Sequence, residues 1–293
     1  MHHHNIAGFG PAILDAEAPK VLYTAHDYWL ICPRNALLKP DKTLCEDRRN
    51  CFMCSLRWKR PPQLWRRTAA LKKRLSNIDM IITPSEYMKS TLEGAGISQP
   101  IMTIPNFVPE PEKPSDNKYP FPYFLFMGQL LLHKGLLNLV EAFSQVQNEI
   151  DTNLLIVGNG PLSDELNKIV FQKGWQDRIK LLGKINDRRM ISSLYTNALA
   201  LVVPSIWPEN APLVALEALA CGTPIITSNK GGLPEIAGKV DPGLIFTNMD
   251  ELKKLLLHAS RGLRDPSNTP RKVYEGFFTT PIFVERYLAA LRQ

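Results

Sequence analysis

Apolar and polar positions along this 293-residue chain fall into two recurring patterns. Short continuous apolar runs end in Gly, Pro, Asn or Asp. Longer stretches repeat their apolar residues at helical spacing. A continuous apolar run predicts a strand buried on both faces, as in a parallel sheet. Strands are predicted at Lys20–Ala25, Asp79–Ser85 and Ile101–Asn106. Helices are predicted near 63–75 and over 85–95, the second with Ser85 as cap and Gly94 and Gly96 as stop signals. Residues 108–122 carry five prolines and read as an interdomain linker. Beyond it, strands at Tyr123–Met127, Asn153–Val157, Ile179–Leu182, Ala198–Val203, Pro224–Thr227 and Gly243–Phe246 alternate with helices near 135–148, 162–173, 187–196, 212–220, 232–237 and 249–260. An amphipathic helix over 279–293 ends the chain. This alternation predicts an α/β protein of parallel sheets covered by helices. The expected domains are 1–107, a linker over 108–122, a second domain over 123–275, and a terminal segment, 276–293, packing back toward the first.

Composition adds limits. With 44% hydrophobic residues the chain can bury substantial cores, yet no apolar run approaches the roughly 18 residues of a membrane span. The amino terminus lacks a signal-peptide pattern, so a cytoplasmic location is the default expectation. Met1-His2-His3-His4 reads equally as a cloning remnant or as native sequence. The net charge of +7 concentrates in residues 57–74, which hold eight Lys/Arg and no acid, with Trp58, Leu64, Trp65 and Leu71 interleaved. Such a stretch suits an anionic membrane surface, which would make the protein peripheral at the inner membrane face. It suits equally a solvated helix face near an anionic substrate, and least of all nucleic acid. Cys32, Cys45, Cys51 and Cys54 cluster in one segment. Without a secretory signal they read as a structural zinc knot or as four reduced thiols, rather than as disulfides.

The chemistry-bearing residues of the second half follow strands. Gly128-Gln129 ends one strand, with Lys134-Gly135 opening its helix; Gly158-Asn159-Gly160-Pro161 ends the next. Glycine turns before helices let backbone N–H groups approach a phosphate, and Lys134 adds a charge suited to a diphosphate. Glu209 lies in the loop after strand Ala198–Val203; Glu217, seven residues intervening, falls in the second turn of a helix that Pro212 opens. Two carboxylates in one pocket accept paired hydroxyl hydrogen bonds, so they suit polyols such as ribose and a hexose. Two acids stabilised by a helix dipole are the plainer alternative.

With the residues from Pro204 to Glu235 in view, the chain resembles retaining GT-B glycosyltransferases of family four, the glycosyl transferases group 1. The His26-Asp27-Tyr28-Trp29…Cys32-Pro33 segment resembles a subset carrying the same Cys-rich insertion. The resemblance implies two Rossmann-like parallel-sheet domains. It implies transfer of a hexose-type sugar from a UDP- or GDP-sugar to a glycan or lipid-linked acceptor, with retention of configuration and no required metal cofactor, in polysaccharide biosynthesis. Glu209 would hold donor-sugar hydroxyls, with Asn210, Ala211 and Pro212 shaping the loop. Glu217 would hold the ribose, and Lys134 would offset the diphosphate charge. The Leu213 and Val214 amides would add contacts, and His26, on the other domain, would face the donor sugar. His26 also reads as a structural histidine at a strand end.

Two departures stand out. The family commonly carries Arg where Gln129 stands. The family's first domain opens with a strand and a glycine-rich loop, whereas here about 107 residues precede the linker, so the first domain is expected to be incomplete. A shortened, non-catalytic nucleotide-sugar-binding remnant is therefore the alternative. A dinucleotide-dependent dehydrogenase is set aside, because no G-x-G-x-x-G opens the first strand.

Overall fold

The computed structural model describes residues 1–41, 43–45, 50–263 and 269–292; the side chain of Arg67, part of the basic stretch, lies outside that description. Two compact units emerge: Met1–Pro105 with the residues from Ala289 on, and Asn106–Leu288.

In the first unit, β1 (His2–His4), β2 (Leu22–Thr24), β3 (Met80–Thr83) and β4 (Ile101–Thr103) form a parallel sheet in the order β1-β2-β3-β4. The three histidines thus form a strand, pairing His2 with Leu22 and His4 with Thr24. Histidine carries little strand signal of its own; here the ladder to β2 supplies it. Helices α1 (Cys51–Arg57), α2 (Ala69–Leu75) and α3 (Glu86–Glu93) complete the unit. Ser85 caps α3, its Oγ accepting from the Met88 amide. The single helix predicted near 63–75 is instead a 3-10 turn, Leu64–Arg67, followed by α2. Thr68 separates them: it is extended, and its hydroxyl accepts from the Ala70 amide to start a new helix.

The second unit holds β5 (Tyr123–Met127), β6 (Asn153–Val157), β7 (Ile179–Gly183), β8 (Ala200–Val203), β9 (Ile225–Ser228) and β10 (Ile245–Phe246), all parallel, in the order β10-β9-β8-β5-β6-β7. One face of the sheet, with Phe124, Phe126, Leu154 and Ile156, packs with α4 (Leu136–Val146), α5 (Ser163–Gln172) and α9 (Met249–Ser260). The other, with Tyr123, Leu125, Leu155 and Leu201, packs with α6 (Arg188–Asn197), α7 (Leu213–Ala220), α8 (Leu233–Ala237) and α10 (Thr269–Phe277). Tyr123, Phe124 and Leu125 are fully buried, and each contributes about 1.5–3 kcal/mol by that burial.

The proline-rich segment begins fastened to the second unit. Val108 is buried, its amide donates to the Phe278 carbonyl (3.1 Å), and Tyr274 Oη donates to the Val108 carbonyl (3.2 Å). The helix α10 that holds it this way was not foreseen. The last helix, α11 (Thr280–Arg292), ends within the first unit, where Lys20 Nζ donates to the carbonyls of Ala290 and Leu291 (3.4 and 2.8 Å). A cation there satisfies orphan carbonyls and suits the negative helix end. Among the described residues no helix is long and apolar enough to cross a membrane.

The β1 histidines make the first unit pH-sensitive. His2 Nε2 bonds Thr24 Oγ1 (2.8 Å), and the His2 and His4 rings sit 4.0 Å apart. Burial first, then the neighbouring His4 and His26, pull the His2 pKa down to about 4. A depressed imidazole is bound neutral, so below about pH 6.5 the unfolded chain takes up protons the folded one refuses. Its contribution is therefore complete above that pH and lost on acidification toward pH 4. The melting temperature should fall by several degrees between pH 7.5 and 5, and His2→Asn should flatten that dependence.

Candidate functional site

The sheet order of the second unit reverses between β5 and β8: β5 leads to β6 and β7 on one side, while β8, β9 and β10 lie on the other. A parallel sheet opens a crevice at the carboxyl ends of its strands where the winding reverses. The loop after β5 carries Lys134, and the loop after β8 carries Glu209. Lys134 Nζ meets Glu209 Oε1 at 2.6 Å, and Ser205 Oγ donates to the same oxygen at 2.6 Å. The Glu209 side chain is 6% exposed and that of Lys134 27%. A carboxylate so buried requires a cation and hydrogen bonds. Ser205 is fixed in turn, its carbonyl accepting from Ser228 Oγ (2.6 Å) on β9. Glu209 and Lys134, to which the resemblance gives separate duties, form one charge-compensated unit.

Two glycines hold the surrounding backbone. Gly158, at φ +138°, packs so closely on the Gly128 carbonyl that a Cβ would collide with it. Gly231, at φ +63°, sits against the Glu209 backbone in the same manner, and the Gly232 amide donates to the Glu209 carbonyl (2.7 Å). The glycine amides of the first two βα turns are engaged: Gly128 to Val157 O (3.0 Å), Gly158 to Gly183 O (2.8 Å), Gly160 to Ser163 Oγ (3.1 Å). These turns clamp one another rather than presenting amides to an anion. Gly128, however, leaves open space where a side chain would project, beside exposed Gln129.

The loop before α7 places the remaining predicted residues. Asn210 is buried beside Glu209. The Ala211 carbonyl accepts from Asn106 Nδ2 (3.0 Å). Pro212, expected inside the first helical turn, is instead the extended cap residue, and α7 begins at Leu213. The amides of Leu213 and Val214 open that helix, where geometry provides no intrahelical acceptor. Glu217 has a partner of its own: its Oε2 accepts from Tyr195 Oη on α6 (2.9 Å). Burial, then the Glu217 charge, push the Tyr195 pKa well up, so the phenol remains the donor.

Ser205, Tyr195 and Gly231 escaped the sequence reading as partners. Ser205 carried the one available signal, a hydroxyl directly after a strand and four residues before Glu209.

His26 stands in the first unit, after β2. It is exposed, and its Nε2 lies 2.8 Å from His4 Nδ1. Local desolvation, then His4, hold its pKa below the ordinary imidazole value. The basic stretch is only partly turned outward. Arg34 stacks over Trp58 (3.3 Å), while Arg66 bonds Gln63 Oε1 and the Leu30 carbonyl and lies over Trp29 and Trp65. The exposed apolar residues here are Phe52, Met53 and Leu56 of α1, and Leu64. Cys32, Cys45, Cys51 and Cys54 all line one cavity and are unpaired in disulfides.

The chain matches the family described as Glycosyl transferases group 1 over residues 109–273, and Glycosyltransferase Family 4 over residues 1–110. It is 37% identical over 112 residues to an uncharacterized glycosyltransferase of Methanocaldococcus jannaschii, covering 38% of this chain and 28% of that one. Its matches span 28 to 50% of the length of the first curated relatives. The fold is similar to that of sucrose-phosphate synthase from Thermosynechococcus elongatus (TM-score 0.72, 21% identity, 99% of this chain and 72% of that one). It is also similar to Anabaena HepE in complex with UDP and glucose (TM-score 0.67, 17% identity, 93% and 71%). These likenesses confirm an α/β architecture of parallel sheets in two domains.

The Ser205–Glu209 hydrogen bond should matter beyond stability. Ser205→Ala removes one net hydrogen bond to a charged group, about 1.5–3 kcal/mol. Turnover of a donor should drop about tenfold or more with circular dichroism unchanged, and Ser205→Thr should restore most of it. Equal turnover in Ser205→Ala would show that the bond does not position Glu209.

Proposed function

This chain belongs to the glycosyl transferases group 1 family, and from that premise we propose that it transfers a hexose-type sugar from a UDP- or GDP-sugar to a glycan or glycolipid acceptor, retaining configuration. The observation that carries the reading is the Lys134–Glu209 pair at the switch between β5 and β8. When donor binds, Glu209 accepts hydrogen bonds from sugar hydroxyls, and Lys134 turns its charge to the diphosphate. As the bond from the anomeric carbon to the diphosphate oxygen breaks and the bond to the acceptor oxygen forms, negative charge grows on the leaving group, whose freed oxygen takes the acceptor hydroxyl's proton. Lys134 and the opening amides of α7 offset that charge. Glu217, oriented by Tyr195, takes the ribose hydroxyls through its remaining acceptor capacity.

The acceptor end is proposed to work at an anionic bilayer. The support is the cluster of exposed Phe52, Met53, Leu56 and Leu64 with the exposed cations Arg57, Lys59, Arg60, Lys72 and Lys73. Apolar insertion combined with basic charge suits anionic lipid.

Lys134→Met and Glu209→Gln should each lower kcat/KM for sugar transfer by about 10²–10³, the scale for removing one preorganised electrostatic group. Calorimetry with UDP and GDP identifies the base. Normal transfer by Glu209→Gln would sink the assignment, and donor binding with no turnover across broad acceptor mixtures would favour a binding-only protein. Vesicles rich in phosphatidylserine should bind the chain in a salt-sensitive way. Neutralising Arg57, Lys59 and Arg60 should weaken that binding at least tenfold, since each cation near the surface contributes about 1 kcal/mol.

A further inference from the structure

The Cys-rich insertion is built differently from an ordinary surface loop. Cys32 follows a turn in which its amide donates to the Tyr28 carbonyl (2.8 Å). A hairpin then runs through the Leu38–Leu44 bridge and returns Cys45, whose amide donates to the Leu37 carbonyl (2.7 Å). Asn35 and Leu37, both non-glycine, hold left-handed backbone (φ +63° and +49°) so that the chain can turn there. Such conformations cost free energy and persist where the surroundings impose them. Cys51 and Cys54 lie three apart in the first turn of α1, and so on one helix face. Three separate pieces of chain thereby deliver four thiols to the lining of one cavity of about 320 Å³.

The second observation is independent of the cysteines. Arg34 Nε and Nη1 and Arg66 Nη2 are buried N–H donors without an acceptor among the described residues. Arg34 lies within electrostatic reach of Cys32 and Cys54, and Arg66 of Cys32 and Cys51. Arg66 also faces Asp27, and both guanidinium groups stack on tryptophan rings; negatively charged sulfurs would give the remaining buried donors their acceptors. Protonated thiols supply none, and neither do two disulfides. Four thiolates around a divalent cation carry a net charge of −2, which two arginines balance.

We propose that Cys32, Cys45, Cys51 and Cys54 bind one zinc ion as a tetrathiolate site, with Arg34 and Arg66 hydrogen-bonded to its sulfurs. Four thiols lose four protons to solvent as four Zn–S bonds form. Soft sulfur ligands in a closed four-coordinate set suit structural zinc. Among the described residues no group of three or more His, Cys, Asp or Glu already stands ready to hold a metal, so the sulfurs must turn inward from the cavity wall.

The site has a mechanical role. Arg66 donates to the Leu30 carbonyl (3.3 Å) and lies over Trp29, while Cys32 is bonded to Tyr28. Zinc therefore fastens the insertion to the segment after β2 that begins with His26. The proposal does not depend on the donor reading, because it concerns metal content and fold.

The test uses the full chain purified without an affinity tag from zinc-supplemented cells. Elemental analysis should give about one zinc per chain. Replacement by Co²⁺ should produce the intense sulfur-to-cobalt charge-transfer band and the d–d absorption of tetrahedral thiolate cobalt, which histidines at the amino terminus cannot imitate. Cys45→Ser should lose the metal. Arg34→Gln, should it fold with unchanged circular dichroism, should release zinc to a chelator at least tenfold more readily, the scale for removing a hydrogen-bond partner of a ligand. If Arg34→Gln misfolds, cobalt titration of chelator-stripped unmutated chain decides alone. A folded chain with under about 0.1 zinc, iron in its place, disulfides by mass spectrometry, or a cobalt spectrum without thiolate bands would each overturn the proposal.

Discussion

Glu209 is a carboxylate almost without water, and three separate strands and loops of the second unit meet to give it partners. Lys134 arrives from the loop after β5, Ser205 from the carboxyl end of β8, and Ser228 on β9 steadies Ser205. Breaking a buried pair by removing one partner typically costs about 3–5 kcal/mol, whereas the intact pair adds little net stability. Its persistence is best understood as a demand of the site. The reversal of strand order supplies the geometry, since two loops meet there that would otherwise diverge.

Much of this was legible in the sequence. Tyr123–Met127 and Asn153–Val157 were read to the residue, because uninterrupted apolar runs admit one reading in a doubly covered sheet. Where local and tertiary signals disagreed, the reading failed. His2–His4 lack strand propensity and become a strand through β2. Residues 63–75 carry an amphipathic pattern, yet the Thr68 hydroxyl divides them. The site was legible as a set of residue types following strands, but not as a network. That Tyr195 anchors Glu217, or that Gly231 lies under Glu209, follows from α6 and α8 closing over the loop, which no local pattern encodes.

The first unit shows a different economy. Its sheet is small, and much of its chain between β2 and β3 lies in the insertion. There, aromatic rings are covered by arginines, as Trp58 is by Arg34 and Trp65 by Arg66. Trp58 and Trp65 are half-buried, and the most exposed apolar residues here are those of α1 together with Leu64.

Lys134, proposed to meet a diphosphate, is already paired with Glu209. Any incoming anion competes with Glu209 for Lys134, and the separation is favourable only if the carboxylate gains partners at the same moment. A bare phosphate offers the lysine a new charge and the acid nothing. A ligand that joins a diphosphate to a polyol offers both at once. On the proposed donor reading, the pair would thus favour a molecule that carries both halves over a small anion that carries one.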